Sequence, residues 1–205
     1  MKIAVISGSS RPKSQSLKIA NWVVEKLRDL DTEPILIDLH EHVLPTEINL
    51  LDLKNEPTGL KAWSPVQEIL QDSLGFVVVS PEWNGMAPPA LMNMFEYASV
   101  SSKPLAHKPG QIITVSNTDG GSYPAAQLRV HGGKNNHSFY NPEIVIIRNC
   151  EKVFNSESPE VGNSADEYLQ ARVEHSLRIF LEYVKAMQSL RENSKVDLLK
   201  YPNGM

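Results

Sequence analysis

A loop rich in hydroxyl side chains, placed between an apolar run and a helical pattern, constrains the fold of this chain most. The apolar run is Ile3–Ile6, the loop is Gly8–Ser16 with the sequence GSSRPKSQS, and the helical pattern begins at Leu17. The first amides of a helix have no internal partners and the helix dipole is positive there, so such a loop favours an anion. Serine hydroxyls and the guanidinium of Arg11 are suitable donors to phosphate oxygens. The alternative is that the serines only cap the helix and form a polar turn.

The glycine content of this loop restricts the phosphate ligands that it can take. A dinucleotide-binding G-x-G-x-x-G motif needs several glycines for close approach of the backbone to a pyrophosphate, and this loop contains only Gly8. The G-x-x-x-x-G-K-[ST] motif of nucleoside triphosphatases is also absent, because Lys13 and Ser14 lack the second glycine and stand one residue too close to Gly8. Many hydroxyls with few glycines fit a terminal phosphate monoester better.

A second loop follows the apolar run Leu74–Val79, which is typical of a buried strand in a parallel sheet. This loop is Ser80–Met86, with the sequence SPEWNGM, and Pro88 and Pro89 then open an amphipathic helix. Ligands of open α/β sheets bind at the carboxyl ends of the strands, near the point where strand order reverses. We therefore expect the two loops to face one ligand.

Three motifs give the chain a resemblance to a known family. They are G-S-x-R-x-x-S-x-[NS] at Gly8–Ser16, a P-E-Y-N-like block at Pro81–Asn84 with Pro89, Leu91 and Asn93 after it, and a serine- and glycine-rich segment at Ser116–Gly121 with Leu128 and Arg129 after it. In this order they resemble the NADPH-dependent FMN reductases, which include azoreductase-, quinone reductase- and chromate reductase-like flavoproteins. The resemblance covers residues 1 to about 150. It implies an α/β, flavodoxin-like, doubly wound fold with a five-stranded parallel sheet in the order 2-1-3-4-5.

The resemblance also implies a set of FMN-binding residues in three groups. The phosphate would be held by Ser9, Arg11, Ser14 and Ser16, one edge of the isoalloxazine ring by Pro81, Glu82, Trp83, Asn84 and Gly85, and its other side by Ser116, Asn117, Gly120 and Gly121. Trp83 stands where the family usually has a tyrosine, so the aromatic wall is kept and the phenolic hydroxyl is lost. Ordinary packing is the alternative role of Trp83, and a surface or subunit contact is the alternative role of Glu82.

The activity that the resemblance implies is that of an FMN-dependent NAD(P)H oxidoreductase. Such an enzyme transfers two electrons to a quinone, a flavin or a similar small-molecule acceptor, with FMN and NADPH as cofactors. It needs no acid, base or nucleophile from the protein because the flavin itself accepts the hydride, so no catalytic residue is predicted. Two alternatives are a non-catalytic FMN-binding electron carrier and a flavodoxin-like interaction protein that has lost the cofactor.

Composition excludes several other classes of protein. The 205 residues contain no low-complexity linker, which predicts a single domain over residues 1–205. The net charge of -4 argues against a nucleic-acid-binding protein. The apolar runs are too short for a membrane helix or a signal peptide. The single cysteine, Cys150, excludes an internal disulfide and an iron–sulfur cluster, so we expect a cytoplasmic protein with Cys150 as a small buried hydrophobe.

The hydrophobic pattern predicts five strands that alternate with five helices. We expect strands near 2–7, 34–38, 75–80, 111–116 and 143–148, and helices near 16–30, 64–73, 88–99, 121–130 and 164–191. A capping box of Ser164 and Glu167 is expected to begin the last helix. The breaker-rich stretch Val130–His137 is expected to end the fourth helix, and Leu50–Leu53 to form a short helix or a lid over the site.

Two further expectations concern partners. The resemblance implies a homodimer or homotetramer with the flavin near a subunit boundary, and the helix after Pro89 offers Met92, Phe95 and Tyr97 as apolar residues beyond one core face. His40 and His42 lie close in sequence but lack further ligands at metal-binding spacing, so no metal site is predicted.

Overall fold

The computed structural model describes residues 1–203 and has a twisted parallel sheet at its centre. The strands are β1 (Lys2–Ser7), β2 (Glu33–Asp38), β3 (Gly75–Pro81), β4 (Pro109–Val115), β5 (Phe139–Tyr140) and β6 (Val145–Ile147). Their order is β2-β1-β3-β4-β5, and β6 also pairs with β4. Every pairing between these strands is parallel. The predicted fold class and strand order are confirmed.

Helices cover both faces of the sheet. They are α1 (Gln15–Asp29), α2 (Pro57–Asp72), α3 (Pro89–Val100), α4 (Ser122–Gly133) and α5 (Ser164–Asn193), with short 3₁₀ helices at Leu50–Asn55 and Cys150–Lys152. Successive strand residues point to opposite faces, so Ile3 and Val5 of β1 pack with α1 and α5, whereas Ala4 and Ile6 belong to the core of α2, α3 and α4. A sheet that is buried on both faces leaves its strand ends as the place for a site.

The strand order reverses at β1, since β2 lies on one side of it and β3 on the other. The carboxyl ends of β1 and β3 therefore diverge into loops that leave toward opposite faces, and a crevice forms between them. The N–H of Gly8, directly after β1, donates to the carbonyl of Val79 in β3 at 2.9 Å. This bond holds the first loop beside the second.

The expected fifth strand, near 143–148, is present as β6, and the two-residue strand β5 before it is an unpredicted addition, so the sheet has six strands instead of five over residues 1–203. Phe139 and Tyr140 pair with the start of β4, and Val145–Ile147 pair with its end. Between these two pairings, the side chain of Gln111 in β4 bonds to the segment that joins β5 to β6. Its Oε1 accepts from Asn141 Nδ2 at 2.7 Å, and its Nε2 donates to the Glu143 carbonyl.

Three helix boundaries differ from the prediction. Helix α2 begins at Pro57, where proline suits the first turn, rather than near residue 64, and Pro65 lies inside the helix. Helix α4 continues through Val130 to Gly133 before the breaker-rich stretch ends it. The cap of α5 is Asn163, whose side chain accepts the N–H of Asp166 at 3.1 Å, so the predicted Ser164 and Glu167 capping box is wrong.

The expected interface residues on α3 are instead part of the core. Phe95 is 3% exposed and Tyr97 is fully buried, with its hydroxyl donating to the Pro45 carbonyl at 2.8 Å. Met92 packs against the same core. The short helix predicted near Leu50–Leu53 is confirmed as a 3₁₀ helix, and it packs against α2 and α3. It does not line the cavity at the strand ends that is described below.

None of the helices in the described part of the chain is long and apolar enough to cross a membrane.

The buried amine of Lys108 binds the end of α2. Lys108 precedes β4, is 9% exposed, and donates from Nζ to the carbonyls of Leu70 and Gln71 at 2.7 and 2.8 Å. These carbonyls lie in the last turn of α2, where the helix leaves acceptors without internal partners. Burial, assisted by the positive charge of Arg191, lowers the pKa of Lys108 to about 8.

Lys108 should make stability depend on pH above neutrality. Between pH 8 and 10.5 the folded amine has lost its proton while the unfolded one keeps it, so the free energy of unfolding rises with pH through this window. We expect the free energy of unfolding of the parent, relative to that of Lys108→Met, to rise by up to about 3 kcal/mol from pH 7.5 to pH 10.5. Urea unfolding measures it, with the exposed Lys185→Met as control; a difference that stays constant with pH would contradict this role.

Candidate cofactor site

A cavity of about 360 Å³ opens at the carboxyl ends of β1, β3 and β4. Its volume lies in the range of sites for small organic ligands. Nine of the thirteen predicted cofactor-binding residues line it: Ser9, Arg11, Ser14, Ser16, Pro81, Glu82, Trp83, Ser116 and Asn117. The other four, which are Asn84, Gly85, Gly120 and Gly121, lie in the same loops but not in the cavity wall. The fold thus brings the three motifs of the sequence to one place.

The first loop supplies hydroxyl groups that serve two purposes. Ser14 caps α1, because its Oγ accepts the N–H of Leu17 at 3.1 Å, and it lies 3.0 Å from the Oγ of Ser16. The Oγ of the buried Ser9 accepts the N–H of Arg11 at 3.1 Å. A hydroxyl that accepts a backbone N–H keeps its own hydrogen for another acceptor. Cap and ligand site are therefore compatible interpretations of these serines.

The electrostatics of this loop favour an anion. Arg11 and Lys13 both line the cavity, and the first turn of α1 carries no acidic side chain. The amides at the start of α1 add donors and the positive end of the helix dipole. The Oε1 atom of Gln15, also in the cavity wall, is buried and has no hydrogen-bond partner among the described residues. A ligand that carries phosphate oxygens and hydroxyl groups would satisfy both sets of atoms.

Trp83 and Arg11 connect the second loop to the first. The guanidinium carbon of Arg11 lies 4.4 Å from the centroid of the Trp83 ring, which is the geometry of a cation–π contact. The indole is half-buried and forms part of the cavity wall. Sequence reasoning predicted both residues but not their contact.

The turn after Trp83 is tight and has a defined backbone. Trp83 and Met86 exchange two backbone hydrogen bonds of 2.9 and 3.0 Å. Asn84 and Gly85 between them have φ angles of 50° and 73°. Two successive positive φ angles with this pairing define a type I′ turn, in which Asn-Gly is the preferred sequence. The backbone therefore requires this pair without any reference to a ligand.

Glu82 joins the second loop, Ser80–Met86, to a third loop, Ser116–Gly121. Its carboxylate accepts the N–H of Gly121, and its Oε1 lies so close to Gly120 that a Cβ there would be only 2.6 Å away. Gly121 has a φ of 103°, and a Cβ on it would lie 2.5 Å from Cγ2 of Ile146. The two glycines are thus required by packing against Glu82 and β6, and Glu82 both lines the cavity and fixes its wall.

The third loop is held by the segment that follows β6. Cys150 lines the cavity, and its Sγ donates to Asn117 Oδ1 at 2.8 Å, while Asn117 Nδ2 donates to Glu151 Oε1 at 2.8 Å. Burial raises the pKa of the Cys150 thiol, so it stays protonated and can keep donating. Because the side chain of Asn117 is engaged, its backbone is the part that remains for a ligand.

Sequence reasoning missed Lys18, Gln15, Lys13, Pro12 and Cys150 as parts of this site. Lys18 lies on α1 and donates from Nζ to the carbonyls of Cys150 and Val153, each at 2.8 Å. These partners stand 132 and 135 residues away in the chain, so no local pattern could reveal them. Lys18 thereby fixes α1 against the segment after β6, which holds the third loop. Partial burial lowers the pKa of the Lys18 amine.

His40 borders the first loop, since its Nδ1 lies 3.0 Å from the carbonyl oxygen of Ser10. Over residues 1–203 there is no group of three or more histidine, cysteine or acidic side chains that could hold a metal ion.

Comparisons with known proteins first define the class. An oxidoreductase from Corynebacterium diphtheriae superposes with a TM-score of 0.71 at 16% identity, over 90% of this chain and 97% of that one. The flavoenzyme NAD(P)H:(acceptor) oxidoreductase FerB from Paracoccus denitrificans gives 0.71 at 19%, over 91% and 98%. An azoreductase from Bacillus anthracis gives 0.58 at 12%, over 92% and 99%. At these identities the likeness establishes a flavodoxin-like fold. No curated protein matches the chain significantly.

The family follows from the sequence profile of the NADPH-dependent FMN reductases, which matches residues 1–152. The chain belongs to this family, and it is an FMN-dependent NAD(P)H oxidoreductase. The resemblance that the three motifs carried is confirmed. The family assignment also favours an enzyme over an electron carrier or a cofactor-free interaction protein.

The turn at Gly85 yields a test of what this glycine does. We expect Gly85→Val to lower the free energy of unfolding of the apoprotein by roughly 1 kcal/mol or more, because a β-branched residue is strained at positive φ. The matched variant Gly85→Asn should lose much less, since asparagine tolerates this conformation. Urea unfolding of the apoproteins measures both. Unchanged stability of Gly85→Val together with weakened FMN binding would instead place Gly85 against the flavin ring.

Proposed function

We propose that the cavity holds FMN, with the phosphate at the start of α1 and the isoalloxazine ring between the second and third loops. The observation that carries this proposal is that one cavity joins the hydroxyl groups and cations of the first loop to Trp83 of the second and to Ser116 and Asn117 of the third. The phosphate ligands would be Ser9, Arg11, Ser14 and Ser16. Pro81, Glu82 and Trp83 would border one edge of the ring, with Asn84 and Gly85 shaping their turn.

The residues present fit this group chemically. The first loop offers donors and positive charge for a phosphate, and the buried Oε1 of Gln15 lacks a partner that a ribityl hydroxyl would provide. Asn117 would present its backbone amide and Ser116 its hydroxyl on the ring's other side, while Gly120 and Gly121 support that loop through Glu82. FMN, when bound, supplies the acceptance of a hydride and the transfer of both electrons to an acceptor.

The protein's own task is to bind and orient. Lys18 and Glu82 fix the three loops relative to one another, so the site is largely formed before a ligand enters. Burial keeps the Cys150 thiol protonated and donating to Asn117, so this thiol offers no thiolate nucleophile to the cavity. The acceptors that we propose are quinones, free flavins and related planar molecules, with NAD(P)H as the donor.

Reconstitution followed by reduction tests this function. We expect the apoprotein to take up FMN, NADPH to bleach the bound flavin's visible absorption under anaerobic conditions, and a quinone to restore it. A protein that binds FMN but is reduced by neither NADPH nor NADH would be an electron carrier. A protein that takes up no FMN would refute the proposed site.

Arg11 provides the sharpest test of the phosphate position. Arg11→Ala should weaken FMN binding by about 1.5–3 kcal/mol, the range for a hydrogen bond to a charged group, with little change in fold stability because the side chain is exposed. Fluorescence titration of the apoprotein measures the dissociation constant, and the exposed Arg178→Ala serves as the control. Equal FMN affinity in Arg11→Ala and in the parent would remove Arg11 from the phosphate site.

We also propose a homodimer or homotetramer with this cavity near the subunit boundary. The support comes from exposed apolar side chains on the second loop and α4, namely Met86, Tyr123 and Val130, which are 50%, 74% and 76% exposed. Tyr123 lies beside Gly85, so this surface adjoins the turn of the second loop.

The oligomer is tested by light scattering at micromolar concentration. We expect a mass of two or four times 22.9 kDa, and a shift toward the monomer for Tyr123→Glu, because a charge there would oppose burial. A parent mass of 22.9 kDa would contradict the proposal.

We further propose that residues 1–205 form one domain and that the protein works in the cytoplasm. Two hydrophobic cores share a single sheet, which supports the first point. The free, buried Cys150 supports the cytoplasmic location, because a protein without an internal disulfide does not depend on an oxidising compartment.

A further inference from the structure

The contact between Arg11 and Trp83 has a role beyond forming the cavity wall. We propose that Trp83 is a positioning residue for phosphate recognition: its indole holds the guanidinium of Arg11 so that the phosphate of FMN meets an ordered donor. The inference rests on the proposed function, and it adds a reason for this chain to prefer a phosphorylated flavin over riboflavin.

The geometry allows one guanidinium to make both contacts. Its carbon lies over the indole ring, 4.4 Å from the ring centroid. A guanidinium carries five N–H donors in its plane, and none of those of Arg11 is bonded to a described residue. The contact with Trp83 therefore leaves donors available to phosphate oxygens.

Within residues 1–203, the contact with the Trp83 ring is the one that orders the end of the Arg11 side chain. The backbone N–H of Arg11 is held by Ser9 Oγ, which fixes only the base of the side chain. The guanidinium itself has no hydrogen bond or ion pair with the described residues, and the residue is exposed. An arginine free to rotate would lose much conformational entropy on binding phosphate. Because the contact with Trp83 already restricts the guanidinium, less entropy is lost when phosphate binds.

Trp83 is itself a rigid platform. Its backbone N–H and carbonyl are both bonded to Met86 across the type I′ turn. Glu82, the preceding residue, is anchored by its N–H to the Val115 carbonyl and by its carboxylate to Gly121. The fixed second loop thus sets the position of the indole, and the indole in turn restricts the guanidinium of Arg11 in the first loop. Tryptophan is also the aromatic side chain that binds cations most strongly on its face.

A comparison of FMN and riboflavin isolates this effect, because riboflavin has the ring but not the phosphate. We would measure both dissociation constants by flavin fluorescence with apoprotein of the parent, Trp83→Leu, Trp83→Tyr, Arg11→Ala and the double variant Arg11→Ala/Trp83→Leu. The preference is the riboflavin dissociation constant divided by that of FMN. We expect Trp83→Leu to lower this preference about 3- to 10-fold and Trp83→Tyr to retain most of it. In the Arg11→Ala background, Trp83→Leu should leave the preference unchanged.

Each other outcome has a defined meaning. If Trp83→Leu weakens both flavins by the same factor, Trp83 is only a wall for the ring and the inference is overturned. If the preference also falls in the Arg11→Ala background, Trp83 does not act through Arg11, which overturns it as well. Failure of the parent to bind FMN would instead refute the proposed function, so the two failures are distinguishable. Tyr168→Leu, an exposed aromatic on α5, is the control, and circular dichroism checks that each variant is folded.

Discussion

The reversal of strand order at β1 is the constraint on which the rest of this structure depends. Because β2 and β3 lie on opposite sides of β1, the loops after β1 and β3 leave toward different faces and open a crevice between them. The bond from the Gly8 N–H to the Val79 carbonyl keeps that crevice narrow at its base. Since both faces of the sheet are covered by helices, this edge is where the fold can hold a planar ligand with a charged end.

The loops around the crevice are tied to one another by long-range polar contacts. Lys18 connects α1 to the segment after β6, and Glu82 connects the second loop to Gly121 of the third. Arg11 and Trp83 form the remaining link, between the first loop and the second. Because these contacts order the loops before a ligand binds, less conformational entropy is lost on binding. This favours a tightly bound cofactor over a transient one. The chemistry of electron transfer can then belong to the cofactor, while the chain supplies position and charge.

The parts of the structure that the sequence could predict are those with local causes. The strand, loop and helix at residues 1–29 form a contiguous pattern, and Ser14 lies where a helix cap is expected. The extra strand β5 could not be predicted, because this region depends on long-range contacts such as the bond from Asn141 Nδ2 to Gln111 Oε1, 30 residues apart. Burial of Phe95 and Tyr97 likewise depends on the distant segment near Pro45. Nine of the thirteen predicted site residues line one cavity, whereas the contacts of Lys18 and the partners of Glu82 follow only from the fold.

The central claim is that FMN lies in this crevice with its phosphate at the start of α1. The most direct measurement is the change in backbone amide NMR signals when FMN, and separately riboflavin, is added to the apoprotein. The account predicts that FMN shifts the amides of Ser9 and Ser14 and of Ser116 and Asn117, and that riboflavin shifts the second group while leaving the first nearly unchanged. Shifts concentrated in another groove, such as the one lined by Arg148, Lys152 and Tyr168, would contradict it.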